Sequence, residues 1–266
     1  MPVVATNTAA NAATRFLNIN SNAASNAVAK LASGSRIVRA SDDAAGLAVS
    51  TKLSADVSAL KQASVNASQG ASILQVADGG LARISDVLQR MKALAAQSLS
   101  GAVSDTERGY INTEFQALST EITGITSTTT FNGQTLIGSF NQTFFVGTAV
   151  ADTIVANISA TGVTAPTDNI STSGGAVTAF GTVDTAIAAV SSSRATVGAL
   201  ISRFETRGSQ VATSIENIEA ANSTIKDVDL AAEQSKLVTA NVLTQAAVSA
   251  LSQANQIPQS LLRVLQ

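Results

Sequence analysis

Cysteine, histidine and tryptophan are all missing from this 266-residue chain. Without cysteine there is no disulfide and no thiol nucleophile. Without histidine the chain lacks the commonest metal ligand and the usual general base near neutral pH. A cysteine- or histidine-ligated zinc site, a Ser-His-Asp triad and an HExxH helix are therefore excluded. The residues suggest no catalytic group, no cofactor and no metal. Aromatics are scarce as well, at 3% against 45% hydrophobic residues. Cores built from Ala, Val, Leu and Ile with few rings suit closely packed helix pairs. A net charge of −2 provides no field to draw nucleic acid or an anionic membrane, and no basic patch with interleaved aromatics appears.

Charge is scarcest at the two ends. From Met1 to Ala29 the only charged residue is Arg15, and from Leu237 to Leu262 there is none. Chain ends normally carry solvating charge, because they make few contacts. Here Ala, Leu, Gln and Ser were kept and charge removed, which points to helices covered by other protein and hence to self-assembly. The last stretch has the length of a membrane span. Thr239, Asn241, Gln245, Ser249, Gln253, Asn255 and Gln256 make it too polar for lipid, so membrane insertion is not expected. Met1–Asn7 has neither the basic nor the apolar region of a cleavable signal peptide.

Two long heptad seams flank a different kind of middle. The first runs from Leu53 through Leu60, Ala67, Leu74, Leu81 and Leu88 to Ala95, in alternating steps of three and four. Every position is apolar except Asp56 and Gly70. The second runs from Val183 through Val190, Val197, Phe204, Val211 and Ile218 to Ile225, apolar except at Arg194, Gly208 and Asn222. Such persistence predicts coiled-coil helices, each about 65 Å long at the helical rise. Asp56, Arg194 and Asn222 fit either solvated edges or buried register-setting positions. Gly70 and Gly208 fit either close helix approach or simple tolerance.

Ser104-Asp105-Thr106-Glu107 has capping-box spacing and predicts a third helix with Ile111, Phe115, Leu118, Ile122 and Ile125 on its apolar face. Ser41-Asp42-Asp43 reads as a cap with two carboxylates. Asn132-Gly133 is a turn signal. Thr143–Val146 and Thr153–Ile158 read as a hairpin, and Ser171–Gly175 as a flexible surface loop. Ala13, Leu17, Ala24, Val28 and Leu31 share a face of a first terminal helix. Leu237, Ala240, Thr244, Ala247, Leu251 and Ala254 form a seam on the last, which Pro258 stops or bends. The expected fold is mainly α: a long antiparallel coiled-coil rod with a small β-hairpin region in the middle and terminal helices that pair. The expected divisions are 1–40 and 227–266 for the terminal-helix domain, 41–130 and 182–226 for the rod, and 131–181 for the hairpin and loops.

Leu31–Ile37 (LASGSRI), Asp42–Ala48 (DDAAGLA), Gln62–Ala67, Leu88-Gln89-Arg90 and Phe131-Asn132-Gly133 closely resemble the N-terminal signature of bacterial flagellins, and Ala250–Leu262 (ALSQANQIPQSLL) resembles the flagellin C-terminus. The likeness covers about 1–147 and 182–266, and the short middle indicates a form without the large outer domains. The resemblance implies a secreted, extracellular structural subunit that polymerises into the flagellar filament. Terminal helices would line an inner tube and the rod would surround it. Implied partners are copies of itself, the flagellar export apparatus and an export chaperone, and hook-associated and cap proteins. Alternatives are the hook–filament junction protein of the same family and, from a different class, a secreted helical ligand or effector.

By spacing alone Arg36, Asp42 and Asp43 are loop charges. The resemblance implies an intersubunit role for them, and for Leu17, Val28, Leu31, Leu237, Leu251 and Asn255. Arg90, Leu94, Gln97 and Glu114 match a surface that an innate receptor recognises on flagellins, although Ala93 departs from that pattern. A rod face used for packing is the competing reading. Thr126–Thr130 reads as a helix-end loop, with O-linked sugars implied only by the resemblance.

Overall fold

The structure is a computed structural model that describes residues 6–158 and 163–264, with side chains in the last helix described through Gln256. The side chains of Ile257–Leu262, part of the C-terminal signature, lie outside the described set. Among the described residues the elements follow in the order α1 (Thr8–Ser33), α2 (Ala44–Leu99), α3 (Asp105–Thr128), β1 (Thr130–Phe131), β2 (Gln134–Thr135), β3 (Phe140–Phe145), β4 (Thr153–Ile158), α4 (Ser173–Lys226) and α5 (Leu230–Val264). They divide into a central unit, Asp56–Glu216, and a terminal unit, Met1–Ala55 with Asn217–Gln266.

In the central unit the first seam is buried at every position from Leu60 to Ala95, with Leu74, Leu81, Ile84 and Met91 fully enclosed. The line on α4 is shifted from the expected one. Val183, Ala186, Val190, Val197, Leu200, Phe204 and Val211 are buried, whereas Ile187 and Ile201 are half-buried. A globular helix buries a stripe wider than a strict two-position seam, so neighbouring heptad positions share the core. Arg194 consequently sits on the flank, exposed, with its Nε 2.9 Å from Asp78 Oδ1 on α2. It is an edge residue rather than a buried register device.

The two seam glycines part company. A Cβ on Gly70 would lie 2.7 Å from Phe204 Cε1, so the missing side chain is what admits the ring. Phe204 also meets Phe144 of β3 edge-on, centroids 5.4 Å apart. A Cβ on Gly208 would meet nothing within 4 Å, which makes that glycine a tolerated one.

Helix α3 starts with the expected reciprocal cap: Glu107 N–H donates to Ser104 Oγ and Ser104 N–H donates to Glu107 Oε2 at 2.8 Å. These bonds hold the Glu107 carboxyl below its ordinary range, the backbone bond from Ser104 contributing most. Phe115 and Ile122 are buried as expected. Spacing alone does not reveal the place of Arg108. Its guanidinium is buried and donates to the Ser98 carbonyl (2.7 Å) and the Ser100 carbonyl (2.8 Å), satisfying acceptors left free where α2 ends.

Asn132 and Gly133 both take positive φ in the two-residue turn joining β1 to β2, the twist such hairpins favour. Strands β3 and β4 pair antiparallel in the register Phe140↔Ile158 through Phe145↔Thr153. The loop between them is closed by Asp152, whose Oδ2 accepts from the Thr148 and Ala149 N–H groups and whose Oδ1 meets Arg207 of α4 at 3.0 Å. These contacts, led by the Ala149 bond, hold the Asp152 carboxyl below the ordinary range.

The Ser171–Gly175 loop is shorter than read. Thr172 Oγ1 accepts from Gly175 N–H, and α4 begins at Ser173. Hydroxyl residues that look loop-like in sequence here supply a helix cap. Thr126–Thr128 likewise lie inside α3, each hydroxyl bonded to a carbonyl of the preceding turn.

Candidate self-assembly surface

The terminal unit is built on α1 and α5, which pack on each other. Ala10, Ala13, Leu17, Asn20, Ala24, Ala27 and Leu31 of α1 turn away from solvent in steps of three and four. On α5 the described inward positions include Leu237, Ala240, Thr244, Ala247, Leu251 and Ala254, as the sequence suggested. Among the described residues of the two helices Ala27, Ala240, Ala247 and Ala254 are buried, as is Glu233 in the first turn of α5, paired with Lys236 at 2.9 Å, so two thin, alanine-rich stripes face each other and permit close approach.

One stripe per helix leaves the rest uncovered. Phe16 (53%), Ile19 (54%) and Val28 (50%) of α1 remain exposed, as do Val238, Val242, Leu243 and Val248 of α5. Large apolar side chains on the outside of a two-helix pair are characteristic of a surface that another protein covers. Among the described residues no helix is long and apolar enough to cross a membrane.

The helix residues expected at a subunit interface fall into two groups. Leu17, Leu31, Leu237 and Leu251 point into the α1–α5 seam within the chain. Val28 and Asn255 point outward; the inward place beside Val28 is taken by Ala27. Asp56 is half-buried.

Two connectors meet beyond the inner ends of α1 and α5. Gly34, at φ +66°, ends α1 in the left-handed conformation that glycine accepts readily. Ser35 and Asp227 then form an antiparallel bridge. Arg36 N–H donates to the Lys226 carbonyl (2.7 Å), Val228 N–H donates to the Gly34 carbonyl (3.1 Å), and buried Ser35 Oγ donates to the Ile37 carbonyl. Asp42 Oδ2 accepts from the Val38 and Arg39 N–H groups, and these bonds, Arg39 first, draw its carboxyl below the ordinary range. The cap of α2 is Asp43, not Ser41: its Oδ1 accepts from Gly46 N–H at 2.8 Å. A Cβ on Gly46 would collide with that carboxylate and with Ile37. Arg36 reaches Asp43 only at 3.9 Å, with both side chains well exposed. The three connector charges thus shape the loop locally and leave the guanidinium on the surface.

In the central unit Arg90 bonds Glu114 (Nε to Oε1, 2.8 Å) and Gln97 is exposed, but Leu94 is 2% exposed and belongs to the core. The four do not form one exposed surface. Leu94 extends the seam sideways, and a helix carrying a wide apolar stripe buries such positions.

The bacterial flagellin N-terminal helical region matches residues 4–142, and the bacterial flagellin C-terminal helical region matches residues 180–265. A flagellin of Halalkalibacterium halodurans is 37% identical over 258 residues, covering 94% of this chain and 95% of the relative. The flagellar filament 30.7 kDa core protein of Treponema maltophilum is 34% identical, covering 95% and 96%. The crystal structure of Bacillus cereus flagellin superposes with a TM-score of 0.52 at 27% identity, covering 59% of this chain and 94% of that one. With both terminal regions matched and likeness along nearly the whole length, the chain belongs to the bacterial flagellin family.

Proposed function

We propose that the outward faces of the α1–α5 pair are the surfaces through which copies of this chain polymerise. The chain is a structural subunit of the flagellar filament, and it acts by burial rather than by catalysis. The observation that carries the reading is the ring of large apolar side chains, Phe16 and Ile19 on α1 with Val238, Val242 and Val248 on α5, left exposed by a helix pair already packed on its alanine stripes. Burying such side chains contributes about 25 cal/mol per Å², repeated at every subunit. The near-absence of charge along α1 and α5 suits helices enclosed by neighbours.

The finer steps belong to the same proposal. The chain is exported through the flagellar export apparatus with an export chaperone, is added beneath a cap protein, and meets hook-associated proteins at the filament base, outside the cell. The test is growth of the purified chain: seeded, concentrated protein should elongate into long filaments visible by electron microscopy and removed by sedimentation. A junction protein would stop at short assemblies, and a soluble ligand or effector would remain monomeric. Either result overturns the reading.

A further inference from the structure

An alanine-on-alanine seam specifies its own register poorly. On α5 alanine recurs every seven residues (Ala240, Ala247, Ala254), and on α1 the inward alanines Ala10, Ala13, Ala24 and Ala27 alternate with Leu17, Asn20 and Leu31, so few large side chains in the seam oppose a slip of register. The observed register therefore needs features that do not repeat. At one end the Ser35–Asp227 bridge provides one. At the other, Asn7 does, through two atoms of one amide. Its Oδ1 accepts from Ala10 N–H at 3.0 Å, capping α1, while its Nδ2 donates to the Ala254 carbonyl of α5 at 2.8 Å, 247 residues away in the chain.

That carbonyl is available for a reason written in the sequence. In an α-helix the acceptor at 254 is served by the N–H of 258. Residue 258 is proline, the only one in α5, and it has no N–H. The helix nevertheless runs on to Val264 instead of stopping at Pro258, so Ala254, 7% exposed, would otherwise hold a buried, orphaned acceptor. Pro258 is thus not a terminator but the device that frees one mid-helix carbonyl. Asparagine suits the other half. Aspartate would cap α1 equally well but has nothing to donate.

We infer that Asn7, Ala254 and Pro258 form a register lock: a side-chain donor on α1 pairs with the single carbonyl of α5 that a proline has released, fixing how the terminal helices align before or as neighbours cover them. Nearly equal stretches of helix separate Gly34 from Asn7 and Val228 from Ala254. The two fastenings therefore agree, and a slip of one heptad would break both.

The test is a four-way comparison of full-length chains: wild type, Asn7→Asp, Pro258→Ala and the double variant. The critical concentration for polymerisation is read for each. Asn7→Asp keeps the cap and removes the donor, so it should raise the critical concentration roughly fivefold, the scale of one lost hydrogen bond. Pro258→Ala restores the helical donor to Ala254, so in that background the same substitution should change the critical concentration by less than about twofold. An equal effect of Asn7→Asp in both backgrounds overturns the lock, as does no effect with Pro258 present. If neither Asn7→Asp chain polymerises, the lock is likewise overturned, because relief by Pro258→Ala is then absent. A wild-type chain that does not polymerise defeats the functional reading instead. The lock is then judged by hydrogen exchange of the α1 amides in the same four chains, with the same pattern of loss and relief expected.

Discussion

The central and terminal units use the same heptad device with different contents. In the central unit, branched and aromatic side chains fill the seams: Leu74, Leu81, Ile84, Met91, Phe115 and Phe204 are all at most 1% exposed. Its surface carries cross-element ion pairs, Arg90 with Glu114, Lys92 with Asp184, and Arg194 with Asp78. In the terminal unit the buried apolar side chains described on the helix pair are alanines, while phenylalanine, isoleucine and valine stand outside. One arrangement completes its burial within the chain. The other keeps its larger apolar side chains for a surface still to be covered. The difference separates folding from assembly: stability resides where the large side chains are enclosed, and polymerisation where they are not.

The harshest way to break this contrast is to remove Leu237–Gln266. Polymerisation should be abolished, whereas far-UV circular dichroism should still show a cooperative helical melt from the central unit. A truncated chain that still formed filaments would refute the division of labour.

Paired point changes sharpen it. Leu251→Asp places a carboxylate in the α1–α5 seam, where it has no partner. Seeded elongation followed by light scattering should stop, and the melting temperature of the central unit should stay within about 2 °C of wild type. Leu81→Ala should do the reverse. It opens a cavity in an enclosed seam and costs about 3 kcal/mol, lowering the melt by roughly 6–12 °C in a domain of this size.

The two glycines give a smaller, signed test within the central unit. Gly208→Ala should stabilise the monomer by ~0.5–1 kcal/mol, because helix propensity rises and nothing is displaced. Gly70→Ala should destabilise it by about 1–3 kcal/mol, because the new methyl meets the Phe204 ring. Thermal unfolding of both variants decides whether close approach or tolerance governs each site.

The mildest effect is acid dependence. Asp42 in the terminal unit, and Glu107 and Asp152 in the central one, have carboxyls drawn below their ordinary range by backbone donors. A folded value below the unfolded one means the stabilisation is complete above the unfolded value, about pH 4, and is lost as pH falls through the folded value. Melting temperature should therefore decline as pH falls below about 4. Asp152→Asn should flatten the decline of the central unit and leave the acid response around Asp42 intact.

Much of this arrangement was legible in the sequence where a single local rule decides the outcome. The first heptad seam and the Ser104–Glu107 capping box follow from spacing, and the Asn132-Gly133 turn and the hairpin from local residue types, although the first hairpin strand runs Phe140–Phe145 instead of Thr143–Val146. What spacing did not show depends on distant partners. Arg108 reads as an ordinary helix charge until the end of α2 is found beside it. Asn7 and Pro258 lie at opposite ends of the chain, and only folding makes one the answer to the other. Arg194 is placed in the core by strict periodicity and Leu94 on the surface by the resemblance alone, whereas the observed stripes are wider and offset. Seams fix which helices pair; the turn-by-turn allocation between core and flank is settled by the partner's shape.

The stapled loop from Gly147 to Asp152 bears on how such a chain can change. One aspartate gathers the loop's leading N–H groups and anchors its closing end to α4 through Arg207, while Val150 at the tip is 93% exposed. The geometry of both strands is thereby set independently of the residues at the tip, and extra chain there adds closure cost only logarithmically with length. The loop is a port at which new sequence can be grafted without rewriting the scaffold. A ten-residue Gly/Ser segment inserted after Val150 should lower the melting temperature by no more than about 4 °C. The same segment in a chain carrying Asp152→Ala should cost clearly more. The freedom to diversify would then belong to the staple beneath the tip, and a lineage that kept the one aspartate could vary what it displays.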